Sequence, residues 1–132
     1  MKRSLLVALF AVLGLVGAGF PASAAPALAS SAMVGDLCNG TSGCITVDIS
    51  FSNRSATAVG SVFDDRNAGS TTAVFWFYAG GSFWSEQTRT ANNERKSFHF
   101  SESGPVGGIN YVEVYLVNNS TGDWTEVADF YK

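Results

Sequence analysis

Few residue types in this chain can do chemistry. Histidine occurs once, as His99. With Glu86 and one of many serines it sketches a catalytic triad. No GxSxG elbow exposes a nucleophile, however, and no HExxH pair offers a metal. Paired carboxylates of the glycosidase kind need a fixed separation across a cleft, for which a short chain has little room. Asp64, Asp65, Asn67 and Gly69 have the composition of a calcium loop without its spacing or closing glutamate. Polar turns use the same residues. The expectation is a non-enzymatic protein with no cofactor and no metal site, in which His99 is a solvent-facing strand residue.

Cys38 and Cys44 are the two cysteines, in the stretch CNGTSGC. A redox motif prefers CxxC, and a zinc site needs more ligands than one histidine adds. In an oxidising compartment so close a pair forms a disulfide, with Asn39, Gly40 and Gly43 supplying the turn. Closing so short a loop contributes only about 2 kcal/mol in the chain-entropy picture.

The most informative stretch is VFWFYAGGSFWS, residues 74–85. Side chains alternate across a strand, so Phe75 and Phe77 share one face while Trp76 and Tyr78 share the other. A three-residue loop at 79–81 places Phe83 and Ser85 with the phenylalanines, and Trp84 and Glu86 with Trp76 and Tyr78. A two-residue loop instead swaps Trp84 and Glu86 to the phenylalanine face, setting a charge beside Phe75, so the three-residue register is preferred. Phenylalanine has no polar atom and suits the core, whereas Trp and Tyr carry a donor that water can satisfy. A short turn at Asn92 and Asn93 then puts Phe98 and Phe100 on the core face, His99 opposite Glu86 and Ser101 opposite Trp84. The expected outer face comprises Trp76, Tyr78, Trp84, Glu86, His99 and Ser101. Sugar rings pack on such aromatics while polar neighbours take the hydroxyls, and Trp and Tyr also mark protein contacts. A third reading has the rings covered by the N-terminal leader or the other sheet.

These residues sit in a chain whose period is two from Ile45 onward. Ile45, Val47, Ile49 and Phe51 alternate with Thr46, Asp48 and Ser50. Strands follow at 58–63, 72–78, 83–90, 96–101, 111–117 and 124–131, separated by Gly, Asn and Asp turns. Gly60 is expected to face Ile49 or to mark a bulge. Val112, Val114 and Leu116 share one face of the sixth strand. The fold class is all-β, an antiparallel β-sandwich of about seven strands with immunoglobulin-like or jelly-roll connections.

The N-terminus carries an export signal. Lys2 and Arg3 precede an apolar run at 5–16, and Ala22, Ser23 and Ala24 offer a cleavage site. The run is short of the roughly 20 residues that span a bilayer, so no stable membrane anchor is expected. The domain division is a signal peptide at 1–24, a flexible leader at 25–37 and one β-sandwich domain at 38–132. Removing Lys2 and Arg3 takes the formal charge from −3 to −5. No basic run exists, so nucleic acid is not an expected partner.

In general layout the chain resembles small secreted sandwich proteins of bacteria, a likeness of style with no motif that assigns a role to any residue. The expected localisation is extracellular. The expected function is glycan binding through the aromatic face, with a polysaccharide or cell-surface glycan as ligand. The alternatives are a secreted protein ligand, such as a hydrolase inhibitor or antagonistic toxin, and a small extracellular hydrolase. Oligomeric state is not legible.

Overall fold

The computed structural model describes residues 34–65 and 69–132. The expected signal peptide at 1–24, residues 25–33 of the expected leader, and Asn67 lie outside the described residues. Among the described residues eight strands follow one another: β1 (Val34–Cys38), β2 (Gly43–Phe51), β3 (Ser55–Asp64), β4 (Thr71–Ala79), β5 (Ser82–Ala91), β6 (Arg95–Ser103), β7 (Tyr111–Asn118) and β8 (Asp123–Tyr131). They form two antiparallel sheets in the orders β1-β2-β3-β6 and β5-β4-β7-β8. The architecture is sandwich-like, and no described residue is helical.

Seven strands stand where the period-two pattern puts them, and β1 is the addition. Residues 34–37, expected as part of a flexible leader, are a strand. Cys38 lies directly opposite Cys44, and the two form a disulfide. The cross-link holds the tight turn after β1, so a segment with little apolar pattern still pairs with β2. Asn39 completes that turn: its Oδ1 accepts the backbone N–H groups of Thr41, Ser42 and Gly43.

The core lies between the sheets. Ile45, Val47 and Ile49 of β2 and Ala58 and Val62 of β3 meet Phe75, Phe77, Val112, Val114 and Leu116 from β4 and β7. Phe75 packs edge-on against Phe98 and Phe100 of β6, at centroid distances of 5.3 and 5.1 Å. Such aromatic pairs add about 0.5–1.5 kcal/mol beyond area burial. Gly60 faces Val47 rather than Ile49, which pairs with Ala58. A Cβ there would clash with the Thr46 carbonyl oxygen and lie 3.0 Å from the Phe98 ring, so the layer leaves no room for a side chain.

The largest departure from expectation concerns β6. It does not extend the β4–β5 hairpin; it crosses to the other sheet and pairs with β3 along its whole length. Asp64, at the end of β3 and only 2% exposed, organises both nearby crossings. Its Oδ1 accepts the Thr71 hydroxyl at the start of β4, and its Oδ2 accepts the Asn93 backbone N–H between β5 and β6. Asn93 has a positive φ of 53°, which asparagine tolerates better than most residues. Asp64 is therefore a structural carboxylate, its two oxygens both engaged. Side chains also tie the edge strands β5 and β6 across the sandwich: Gln87 donates to Glu102, Arg89 stacks on Phe100, and Trp84 donates to the Ser103 carbonyl.

Candidate functional site: an aromatic and acidic sheet face

The outer face of β5-β4-β7-β8 is built by alternation on four paired strands. Register places its side chains in rows across the sheet. The first row is Phe83, Tyr78, Tyr111 and Tyr131. The second is Glu86, Trp76, Glu113 and Asp129. The third is Thr88, Val74, Tyr115 and Glu126, and the fourth is Thr90, Thr72, Val117 and Trp124. These sixteen positions hold seven aromatic rings, four carboxylates and neither lysine nor arginine.

The rings touch one another. Along the first row the centroids are 6.0 Å apart for Phe83 and Tyr78, 5.1 Å for Tyr78 and Tyr111, and 4.5 Å for Tyr111 and Tyr131. A second cluster joins Trp76 to Tyr115 at 4.8 Å and to Trp124 at 5.9 Å. The rim of the patch is the most open part, with Phe83 56%, Trp124 52% and Tyr131 69% exposed.

The carboxylates hold the rings in place. Glu113, central on the face, accepts the hydroxyls of Tyr78 at 2.7 Å, Tyr111 at 2.9 Å and Tyr115 at 3.3 Å. Tyr111 also donates to Asp129, and Trp76 donates its indole N–H to Glu86 at 2.8 Å. Donors fixed on a charged acceptor make stronger bonds than neutral pairs. The hydrogen bond to Glu113, together with burial, pushes the Tyr78 phenol up to about 12. Burial and the charges of Glu113 and Glu126 push Tyr115 up to about 12 as well. Tyr111 is raised further, by burial first and then by its bond to Glu113. All three are locked as neutral donors at physiological pH. Glu126 is raised above the usual carboxylate range, chiefly by the neighbouring charge of Asp129.

Of the expected set, Trp76, Tyr78 and Glu86 lie together on this face. Trp84, His99 and Ser101 do not. The hairpin turns through Gly80 and Gly81 alone, with Ala79 opposite Ser82, and a bulge follows between Tyr78 and Phe77. The extra residue absorbed there is Trp84. Phe83 thus joins Tyr78 on the outer face instead of entering the core, while Trp84 swings over the sandwich edge to Ser103. Beyond the bulge, Ser85 and Glu86 regain the expected sides. Because β6 pairs with β3, His99 stands opposite Val59 and Ser101 opposite Thr57, on the far side of the molecule. Ser101 and Thr57 share a hydrogen bond of 2.6 Å. Glu86 and His99 therefore occupy outward faces of different sheets and form no triad.

Tyr111, Glu113, Tyr115, Trp124, Glu126, Asp129 and Tyr131 complete the face. The alternation in YVEVYLV already sets Tyr111, Glu113 and Tyr115 opposite the core residues Val112 and Val114. Only the pairing of β7 with β4 brings them beside Trp76. Among the described residues no group of three or more His, Cys, Asp or Glu could hold a metal ion. Comparison of the chain with protein-family models, with curated protein sequences and with solved structures finds no match.

Proposed function

We propose that this is a secreted, non-enzymatic protein that holds a polysaccharide or cell-surface glycan on the outer face of β5-β4-β7-β8. The observation that carries the reading is the continuous patch of seven rings, tethered by carboxylates that themselves accept sugar hydroxyls. Flat aromatic surfaces bind pyranose faces through C–H groups and dispersion, and polar neighbours fix orientation. The opposite outer face differs in kind: its β3 and β6 positions include Ser55, Thr57, Ser61, Ser97, Ser101 and Ser103. The disulfide is compatible with an extracellular location, in keeping with the N-terminal export signal. The strand order supports an immunoglobulin-like sandwich over a jelly roll, since β1-β2-β3, β4-β5 and β7-β8 are hairpins within single sheets.

Retention on insoluble chitin, cellulose and peptidoglycan tests the proposal. Wild type is retained on at least one, and a Trp76→Ala/Trp124→Ala variant elutes with the unbound fraction. Absence of retention on all three, or retention unchanged in the variant, would count against it.

One observation favours a second reading, a secreted protein ligand such as a hydrolase inhibitor. The loop at 104–108 is anchored firmly, with the Gly104 N–H bonded to the Arg54 carbonyl at 2.7 Å, yet Val106 at its tip is 94% exposed. A rigid loop presenting an apolar tip loses little entropy on docking. Inhibition of proteases or amylases that Val106→Asp abolishes would support this reading.

A further inference from the structure

We propose that the glycan held by this face carries protonated amines, the chemical class being a β-1,4-linked glucosamine polymer. This rests on the reading of the face as a glycan platform and adds the charge of the ligand.

The five basic side chains of the described residues are all directed elsewhere. Arg54 reaches the Gly104 carbonyl, and Lys132 reaches the Asn53 carbonyl. Arg89 lies on the inner side of β5, opposite Ala73, and stacks on Phe100 of the other sheet. Arg95 lies over Phe63 and donates to Ser61 on the other sheet, where Lys96 pairs opposite Val62. Glu86, Glu113, Glu126 and Asp129 are left on one face without a counter-charge from the sixteen positions. The crowding of Glu126 by Asp129 is the electrostatic cost of that arrangement.

The spacing suits a repeating cation better than a compact one. Glu86 and Glu113 flank Trp76 on either side, each one strand away, a separation of about 4.8 Å in the sheet. A sugar stacked on the Trp76 ring turns its equatorial substituents sideways, toward those carboxylates. An ammonium there gains a charge-assisted hydrogen bond that a hydroxyl or an acetamide does not. The first-row rings, one per strand across four strands, extend the contact along a stiff chain of flat units. A single metal ion would need converging oxygens, and among the described residues no group of three or more His, Cys, Asp or Glu is placed to hold one.

Binding of soluble chitosan oligomers to the full exported protein, measured by calorimetry in mildly acidic buffer, tests the inference. N-acetylated chitin oligomers and cellulose oligomers of equal length are the comparisons. The expected result is about tenfold or more tighter binding of the deacetylated series, weakening as salt screens the charges. A Glu86→Gln/Glu126→Gln variant brings the deacetylated-to-acetylated ratio toward one. Equal, salt-insensitive binding of all three series overturns the amine inference and leaves the stacking reading intact. No binding to any series overturns both. Tighter binding to polylysine than to every sugar overturns the inference in favour of a basic polypeptide.

Discussion

Asp64 accepts the backbone N–H of Asn93 at 2.7 Å across twenty-nine residues of sequence. That bond, with a second from the Thr71 hydroxyl to the same carboxylate, sits where the chain passes between sheets. It fixes the turn that carries β6 away from β5, and thereby decides which side chains can share a face.

Removing the Asp64 carboxylate is expected to be among the most damaging polar substitutions in the domain. Asp64→Ala removes the acceptor of the part-buried Asn93 N–H and leaves the buried Thr71 hydroxyl only its longer bond to Ser42, at a cost of about 1–3 kcal/mol. Asp64→Asn keeps one acceptor oxygen and costs less. Urea denaturation of the two variants gives the comparison, and a loss under about 0.5 kcal/mol for Asp64→Ala would show that the crossing is held by other contacts.

Gly60 and Gly35 make a matched pair in the same sheet. A Cβ at Gly60 meets the Thr46 carbonyl and the Phe98 ring, whereas one at Gly35 meets nothing within 4 Å. Gly60→Ala is expected to destabilise by about 3 kcal/mol, the upper end of overpacking costs. Gly35→Ala stays within about 0.5 kcal/mol. Thermal melts that rank the two in the reverse order would contradict the packing described.

The phenols around Glu113 titrate late. Tyr78 and Tyr115 are pushed to about 12, from an ordinary value of 10. Because their folded values lie above the unfolded one, their contribution to stability is complete below about pH 10. It is lost as the pH rises from there through about 12. Near-ultraviolet tyrosinate absorbance follows the ionisation directly, and Glu113→Gln is expected to move both phenols back toward 10. Wild-type titration of every tyrosine near pH 10 would mean that the hydroxyls do not reach the carboxylate.

Tryptophan emission reports on the charge of the face. Trp124 and Trp84 are 52% and 46% exposed, so a red-shifted, quenchable component is expected. Trp124 lies on the acidic face, and Trp84 lies at the sandwich edge against Ser103. At low ionic strength caesium should quench the Trp84→Phe variant more efficiently than iodide does, each scaled to its quenching of free N-acetyltryptophanamide, with the gap closing in salt. Equal scaled quenching by the two ions at low salt would show that the four carboxylates exert no net field there.

Much of the strand layout was local. Ile45 to Phe51, the phenylalanine pair of β4 and the valines of β7 alternate because one side of each strand faces the core, and that pattern is written residue by residue. The same alternation correctly separated Trp76, Tyr78 and Glu86 from Phe75, Phe77 and Ser85. It failed at Phe83 and Trp84. A single bulge inverts parity, and glycines at 80 and 81 are compatible with a two-residue turn as readily as with a longer one. It also missed β1, which is short and offers only Leu37 to the core, with the Cys38–Cys44 disulfide and the Thr46–Asp36 hydrogen bond beside it.

The inward and outward sides of the strands from β2 onward, apart from Phe83 and Trp84 at the β5 bulge, and the availability of Cys38 for Cys44 follow from the sequence by itself, because alternation and short-loop closure act between near neighbours. Which outward sides lie edge to edge was decided only by the tertiary structure. Trp76 meets Glu113, Tyr115 and Trp124 because β7 and β8 dock beside β4, and His99 is lost to that face because β6 crosses to β3. Those pairings join segments tens of residues apart through backbone hydrogen bonds that every strand can offer equally, so side-chain type alone does not select among them.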